Sequence, residues 1–262
     1  MPRLETARAA ALFALLLMPA LARAQTDDEL RALRSATQVA RDGTFLPETL
    51  TARVGAQRVA GLGLGGYDTT PGQGAIFSAF AEGALWRRVA LRAGVEYLSP
   101  TGQVSPQVGL RVGILRQERF GVDVGLAVQY KNRGFSEAKG EVEMMALLGR
   151  RWNKLGAFAN LVYGQGVDPA ERDGEVRLAL LYTVHERIQV GVDARARLDL
   201  GTATAARMAS KLESDFDLLA GPVAMVAAGP LVVLAQAGVH SLIQQEQSHT
   251  GFAAMGGVGA TY

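Results

Sequence analysis

The sequence predicts an all-β protein: a membrane-spanning, antiparallel, up-and-down β-barrel of about twelve strands. Three patterns indicate this fold. Apolar residues alternate with polar or small ones along most of the chain after residue 57, the alternating segments are about 10–14 residues long, and short connections alternate with long ones. Soluble strands average about 5–6 residues, whereas a tilted strand that crosses a bilayer needs about 9–11. The lengths therefore favour a membrane barrel over a soluble sandwich.

Residues 1–24 are predicted to be a secretory signal peptide. Two arginines precede an apolar run at 9–22, and the run ends in Ala-Arg-Ala at 22–24, a small-x-small cleavage pattern. An anchoring helix is the alternative, but this run is too short to cross about 30 Å of hydrocarbon. Removal of the leader takes away three arginines and one glutamate, so the formal net charge of +2 falls to zero. No concentrated basic surface remains, and we expect no nucleic-acid partner.

The composition excludes several kinds of site. The chain has no cysteine and three histidines, which excludes disulfides, cysteine-bound metals and cysteine nucleophiles and leaves little room for a histidine metal site. Hydrophobic residues make up 48% of the chain and the mean hydropathy is +0.11. A disordered protein is therefore excluded, and no cofactor is expected.

Residues 25–56 are predicted to form a periplasmic N-terminal segment, with the barrel occupying 57–262. Within this segment, 27–42 can form a helix that begins at Asp27 and ends at Gly43. Two placements are open: an amphipathic helix inside the barrel mouth, or an arm in the periplasm. Residues 44–50 are expected to be a linker.

Strict period-two alternation supports each predicted strand. In 120–130, for example, apolar residues occupy every even position, and the odd positions hold Gly, Asp, Ala and Gln. Such alternation places the two sets on opposite faces of a strand. The predicted strands lie near 57–68, 74–86, 88–98, 105–116, 119–131, 140–151, 155–164, 174–184, 187–199, 214–227, 231–241 and 251–262.

The uncharged stretch 218–239 has the length of a transmembrane helix and is the main rival to this interpretation. Gly-Pro pairs at 221–222 and 229–230 interrupt it, and the second pair suits a tight turn. A helix here would also separate the C-terminal strand from the rest of the barrel. Two strands are therefore predicted.

Aromatic residues are concentrated near the predicted strand ends. Amphipathic rings prefer the boundary between water and lipid, which predicts two aromatic girdles; the alternative is that aromatic residues end strands in any β protein. The positions assigned to the girdles are Tyr67, Trp86, Tyr97, Phe120, Tyr130, Trp152, Tyr163, Tyr182, Phe216, Phe252 and Tyr262.

The last eleven residues alternate apolar and small residues and end in an aromatic one. In this the chain resembles bacterial outer-membrane β-barrel proteins, whose last strand characteristically ends in Phe, Trp or Tyr. The resemblance implies an outer-membrane location, contact with outer-membrane lipid, short periplasmic turns and longer external loops. It also implies that Phe252, Val258, Ala260 and Tyr262 form a signal for the barrel-assembly machinery, although Gly256 and Ala260 are smaller than is usual there.

If the bulkier alternate positions face lipid, the opposite positions line the lumen. Between about 82 and 199 these predicted lumen residues are polar: Glu82, Arg92, Glu96, Arg111, Asp123, Gln129, Glu143, Arg177, Asp193, Arg195 and Arg197. Near the two chain ends the predicted lumen residues are apolar or small: Leu62, Leu64, Leu219, Val223, Met225, Val232, Leu234, Ala253, Met255 and Gly257. The lumen is thus expected to have a charged wall and an apolar wall.

The charged wall allows two interpretations. Close pairs of Arg and carboxylate side chains would fill the lumen and serve only structure, whereas facing rows across water would filter ions or small polar solutes. We expect a narrow or partly plugged channel for small solutes. A non-conducting structural barrel whose external loops bind partners is the alternative.

Enzymatic and metal sites have weak support. Some twelve-stranded outer-membrane barrels are lipid hydrolases, so His240-Ser241 and Ser248-His249 were considered, but adjacent residues point to opposite faces of a strand. We expect no catalytic residue and rank a rim-located lipid hydrolase third. The acidic residues of the loop near Arg172, which could hold a divalent ion, are expected to be solvated instead: Asp168, Glu171, Asp173 and Glu175.

Overall fold

A computed structural model describes residues 36–55, 58–68, 74–99, 102–132, 140–167, 172–201, 216–244 and 247–262. The predicted signal peptide, residues 27–35 of the predicted helix and parts of the long connections lie outside the described residues. Within the described residues, no helix is both long and apolar enough to span a membrane.

Twelve antiparallel strands close into a barrel in which β1 pairs with β12, and this confirms the predicted fold class. The strands are β1 Val59–Asp68, β2 Gly74–Trp86, β3 Val89–Leu98, β4 Gln103–Leu115, β5 Asp123–Asn132, β6 Gly140–Trp152, β7 Leu155–Gly166, β8 Arg172–His185, β9 Ile188–Asp199, β10 Phe216–Ala228, β11 Leu231–Gln244 and β12 Gln247–Thr261. We call the end of the barrel with the short connections the turn end and the other the loop end.

The alternation predicted from sequence decides which face of each strand lies inside. In β6, Glu143, Met145 and Leu147 are buried, whereas Met144 and Leu148 are exposed. The exposed sets of most strands are rich in Leu and Val, and an apolar surface of this size is unfavourable in water. The outer face therefore forms a belt suited to lipid.

The uncharged stretch 218–239 forms β10 and β11, as predicted, and no helix. Gly229 makes the tight turn between them with φ +59°, a conformation that glycine adopts without steric cost. Pro222 has no N–H to offer to β11, and the ladder between the strands is interrupted from 221 to 222. There the backbones approach closely, since a Cβ at Gly221 would lie 2.6 Å from Cα of Gly238.

The turn between β4 and β5 is longer than the two-residue connection that was predicted. It contains a one-turn helix, α1 (Gln117–Phe120), which ends at Gly121 with φ +76°. The backbone N–H of Gln117 donates to Oδ1 of Asp123 at 2.8 Å. Asp123 thus fixes this turn, besides facing the lumen.

Residues 36–55, which we call the lumen segment, lie inside the barrel. Residues 36–41 are helical, and Gly43 (φ +69°) ends the helix. The segment contacts inward-facing residues of strands on opposite sides of the cylinder, such as Arg111 of β4 and Asp193 of β9, and only an occupant of the lumen can reach both. The stretch 44–50 therefore lies in the barrel interior and is not the linker that was expected.

Candidate functional site: the occupied lumen

Two buried polar side chains hold the backbone of the lumen segment. Asn160 of β7 accepts a hydrogen bond from the N–H of Leu50 (2.7 Å) and donates one to the carbonyl of the same residue (2.8 Å). Asp193 of β9 accepts from the N–H of Glu48 (2.9 Å) and from the hydroxyl of Thr49 (2.6 Å). Both side chains have no exposed surface. The barrel wall thus replaces hydrogen bonds that water would otherwise make to this segment.

Three ion pairs or charge-assisted hydrogen bonds tie further points of the lumen segment to the wall. Arg195 pairs with Glu48 at 3.2 Å, Arg151 pairs with Asp42 at 2.7 Å, and Arg111 donates to the carbonyl of Thr51. Since the barrel partners come from β4, β6 and β9, the segment is held from several sides.

Phe45 packs the lumen segment against the seam between β1 and β12. The ring of Phe45 lies where a Cβ on Gly259 would be, and its centroid is 6.1 Å from that of Phe80. Leu46 and Val39 continue this buried apolar cluster toward Met225 and Val232. Other apolar residues of the segment pack on the opposite side, where Ala52 and Leu50 join a cluster with Met145 and Leu147 of β6.

All the predicted polar lumen residues lie at inward-facing positions, and most of them are paired. Lys131 contacts Glu143 at 2.5 Å, and Arg177 bridges Glu143 (3.7 Å) and Glu175 (2.6 Å). Arg197 contacts Asp173 at 2.5 Å. These pairs form a ladder of alternating charge along β5, β6, β8 and β9, above the lumen segment on its loop-end side.

A second group of paired residues continues around the barrel. Arg195 contacts Asp217 of β10 at 3.0 Å, and Asp217 in turn lies 3.2 Å from Nε2 of His240 on β11. On the other side, Glu82 pairs with Arg111 and lies 3.9 Å from Arg92, whose guanidinium stacks on Phe80. Close pairing, rather than facing rows of charge, is therefore the arrangement among the described residues.

Two predicted polar residues line open space instead. Glu96 and Gln129 border a cavity of about 240 Å³ between the lumen segment and the loop end. Gln129 donates to Gln107 at 2.7 Å. The floor of the cavity is formed by residues 45–50, and its sides are the charged and apolar walls. Among the described residues, the lumen thus has a cavity on the loop-end side of the segment and is filled where the segment crosses it.

The apolar wall differs from the prediction in β1. Leu62 and Leu64 are 41% and 56% exposed and face outward, and Gly61, Gly63 and Gly65 form the inner face. The register explains this, because Leu64 pairs with Phe77 on the outer face. The other residues assigned to this wall from β10, β11 and β12 lie at inward positions.

The assigned girdle positions lie on the outer face or at its rim, with one exception. Tyr67 of β1 faces inward, and its ring contacts that of His240 at an interplanar angle of 59°, with centroids 5.0 Å apart. Its assignment to a girdle is therefore corrected. The rule that bulkier residues face lipid would have placed Leu62 and Leu64 outside and Tyr67 inside, so the error lay in not applying that rule to β1.

The residues considered for enzymatic or metal chemistry are kept apart. Ser241 pairs in register with Thr250 on the outer face, and its hydroxyl lies 3.1 Å from that of Thr250, while His249 pairs with Leu242 on the inner face. No Ser–His pair therefore forms in the described part of this hairpin. Asp173 and Glu175 belong to β8 and pair with arginines, Asp168 and Glu171 lie outside the described residues, and the described residues contain no cluster of three metal-ligating side chains.

Sequence reasoning missed Asn160, one of the two side chains that hold the backbone of the lumen segment. Asn160 interrupts the buried apolar set of β7 between Phe158 and Val162, and Gln189 and Gln236 are also fully or almost fully buried. A neutral polar side chain at an inward position in an otherwise apolar stretch was the available signal, because such a group needs a buried partner. Its partner could not be identified without the path of residues 36–55.

No family model matches the chain, and no curated protein matches it either. Solved structures with the same fold include the NanC porin, with a TM-score of 0.55 and 9% identity over 76% of this chain and 98% of that one. The KdgM porin in complex with disordered oligogalacturonate gives a TM-score of 0.55 and 7% identity over 77% of this chain and 99% of the porin. The chain therefore shares the β-barrel fold of these two porins, and its outer belt is apolar.

Proposed function

We propose that the protein is an outer-membrane channel for small polar solutes whose lumen is closed or narrowed by residues 36–55. One observation carries the proposal: a polar-walled lumen, with a cavity on its loop-end side among the described residues, is crossed by a segment held through a limited set of side-chain hydrogen bonds. A barrel of twelve strands encloses more space than the eight-stranded barrels that side chains fill. Two of the structures that share this fold carry the name porin.

The charge pattern favours small neutral or zwitterionic solutes. Arginines and carboxylates alternate and pair along the described wall, so their fields largely cancel for a solute that passes by. A polyanion such as the oligogalacturonate named with the KdgM porin would gain little from such a wall.

Planar-bilayer recording tests the proposal with a matched pair of variants. Asp193→Ala removes the acceptor for Glu48 and Thr49, and we expect longer and more frequent openings than in the wild type. Asp173→Ala removes the same charge from the same wall but touches no residue of the lumen segment, so its gating should be unchanged. Equal effects of the two variants would show that charge, and not release of the segment, controls conductance.

A non-conducting structural barrel remains the second candidate, because the lumen is occupied and its charges are paired. If folded Asp193→Ala protein stays silent in the bilayer, this second function is favoured. The proposal also includes the division of the chain into a leader (1–24), an N-terminal segment (25–56) and the barrel (57–262). It further includes recognition of the chain end by the barrel-assembly machinery.

A further inference from the structure

A trough on the lipid-facing surface of β6 to β9 has no role in the channel. Its floor is formed by Ala157 and Ala159 of β7. In the register, Ala159 lies between Leu148 of β6 and Leu178 of β8, and Ala157 lies between Arg150 and Leu180. The hollow has a volume of about 540 Å³. The hollow runs along the strand direction, because its two alanines are consecutive outward-facing residues of one strand.

The trough has a charged end. Arg150 faces outward at the turn end of β6 and is exposed, and its guanidinium lies 4.9 Å from the ring of Trp152. Within the described strands, it is the one arginine, lysine or carboxylate at an outward-facing position near the turn end. An outward-facing charge on the apolar belt is costly unless it reaches the headgroup region or meets a charged partner.

We propose that this trough binds one phospholipid, with an acyl chain along Ala157 and Ala159 and the phosphate on Arg150. The shape fits a stretch of an acyl chain, because the two alanines leave a channel about 7 Å long at the rise of a strand, bordered by leucine side chains. The charge fits a phosphate, which arginine binds through paired N–H groups. Lys154, in the short turn between β6 and β7, is an exposed cation at the same end of the barrel.

A lipid suits this site better than a second copy of the chain. Among the described strands, the outer face carries one carboxylate, Asp68, and it lies at the loop end of β1. Suppose that a second copy packs here with the same orientation in the membrane. Arg150 would then be buried, and no outward-facing strand carboxylate would lie at the same depth in the membrane to pair with it. A buried unpaired charge opposes such an interface.

Native mass spectrometry of the full chain in detergent tests the site, with phosphatidylglycerol and diacylglycerol of the same acyl chains as probes. The wild type should retain one phosphatidylglycerol in preference to diacylglycerol. Arg150→Gln should lower this retention about tenfold or more, the loss expected for a charge-assisted contact. Ala159→Phe, which fills the trough and leaves Arg150 in place, should lower it too; Ala157→Leu serves the same purpose if that variant does not fold.

Arg172→Gln is the matched control, because Arg172 also faces outward but lies at the loop end of β8. It should leave retention unchanged. Equal retention of both probes, or equal losses in Arg150→Gln and Arg172→Gln, would overturn the proposal. So would a dimer that disappears in Ala159→Phe, since the trough would then be an interface between copies.

Discussion

At the scale of single residues, buried polar side chains decide where the N-terminal segment lies. Asn160 offers both a donor and an acceptor to one residue, Leu50, as a neighbouring strand would. Asp193 offers two acceptor oxygens to two consecutive residues. A buried group that loses its partner costs about 1–3 kcal/mol, so the segment and these side chains stabilise each other.

Replacing Asn160 should loosen the lumen segment. The chain lacks cysteine, so Leu50→Cys provides a single thiol whose reaction with a maleimide reports exposure. Adding Asn160→Leu removes both hydrogen bonds to residue 50 and should speed labelling roughly tenfold, the factor that corresponds to about 1.4 kcal/mol. Gln107→Leu, which removes a lumen hydrogen bond away from the segment, should not. An unchanged labelling rate in Asn160→Leu would mean that the apolar contacts alone hold the segment.

At the scale of strands, the sequence predicted nearly the whole framework, because period two is a local property. In β5 and in β9, one set of alternate residues contains charged side chains and the other set is aliphatic, which indicates the set that faces inward. Asp123 and Arg195 could therefore be placed inside. In β1 the choice was between leucine and glycine, and it was wrong for Leu62 and Leu64. The inner face of β1 is small because Phe80 and Ser78 of β2 occupy that space, a fact that only pairing with β2 provides.

The path of residues 36–55 was beyond sequence reasoning for a related reason. This segment has no strand periodicity, and its partners lie on β4, β6, β7, β9 and β12. Its position depends on many long-range contacts that exist only after the barrel closes. The predicted helix end at Gly43 was local, by contrast, and the structure has a left-handed glycine there.

The close approach of β10 and β11 gives a prediction at this scale. A Cβ at Gly238 would overlap the backbone of Ala220 and Gly221, so Gly238→Ala should destabilise the folded barrel by about 1–3 kcal/mol, as overpacking does. The measurement is the temperature at which the heat-modifiable band of the folded barrel disappears from a gel. This temperature should be lower for Gly238→Ala than for the wild type. At Gly256 an added Cβ would meet only a carbonyl at 3.8 Å, and Gly256→Ala should keep the wild-type transition. Equal transitions in both variants would contradict the close packing.

At the scale of the whole molecule, closure of the cylinder and the lumen segment are linked. The seam joins β1 to β12, and the backbones of Arg58 and Tyr262 extend it by two hydrogen bonds of 3.3 and 3.1 Å. The inner face of this seam is largely glycine, which leaves a hollow on that side. Phe45 from the segment and Phe80 from β2 fill the hollow.

Phe45→Ala should therefore weaken the barrel as well as release the segment. Loss of a buried phenylalanine costs about 3–5 kcal/mol where the site cannot collapse, and a backbone-lined seam has few side chains that could move into the space. Denaturant unfolding in micelles, followed by tryptophan fluorescence, should show a lower midpoint than in the wild type. Phe252→Ala removes an equal ring from the outer face of the same seam, where detergent can replace it, and should shift the midpoint less. A larger midpoint shift in Phe252→Ala than in Phe45→Ala would mean that lipid-facing contacts stabilise the seam. The lumen segment would then contribute little to the stability of the barrel.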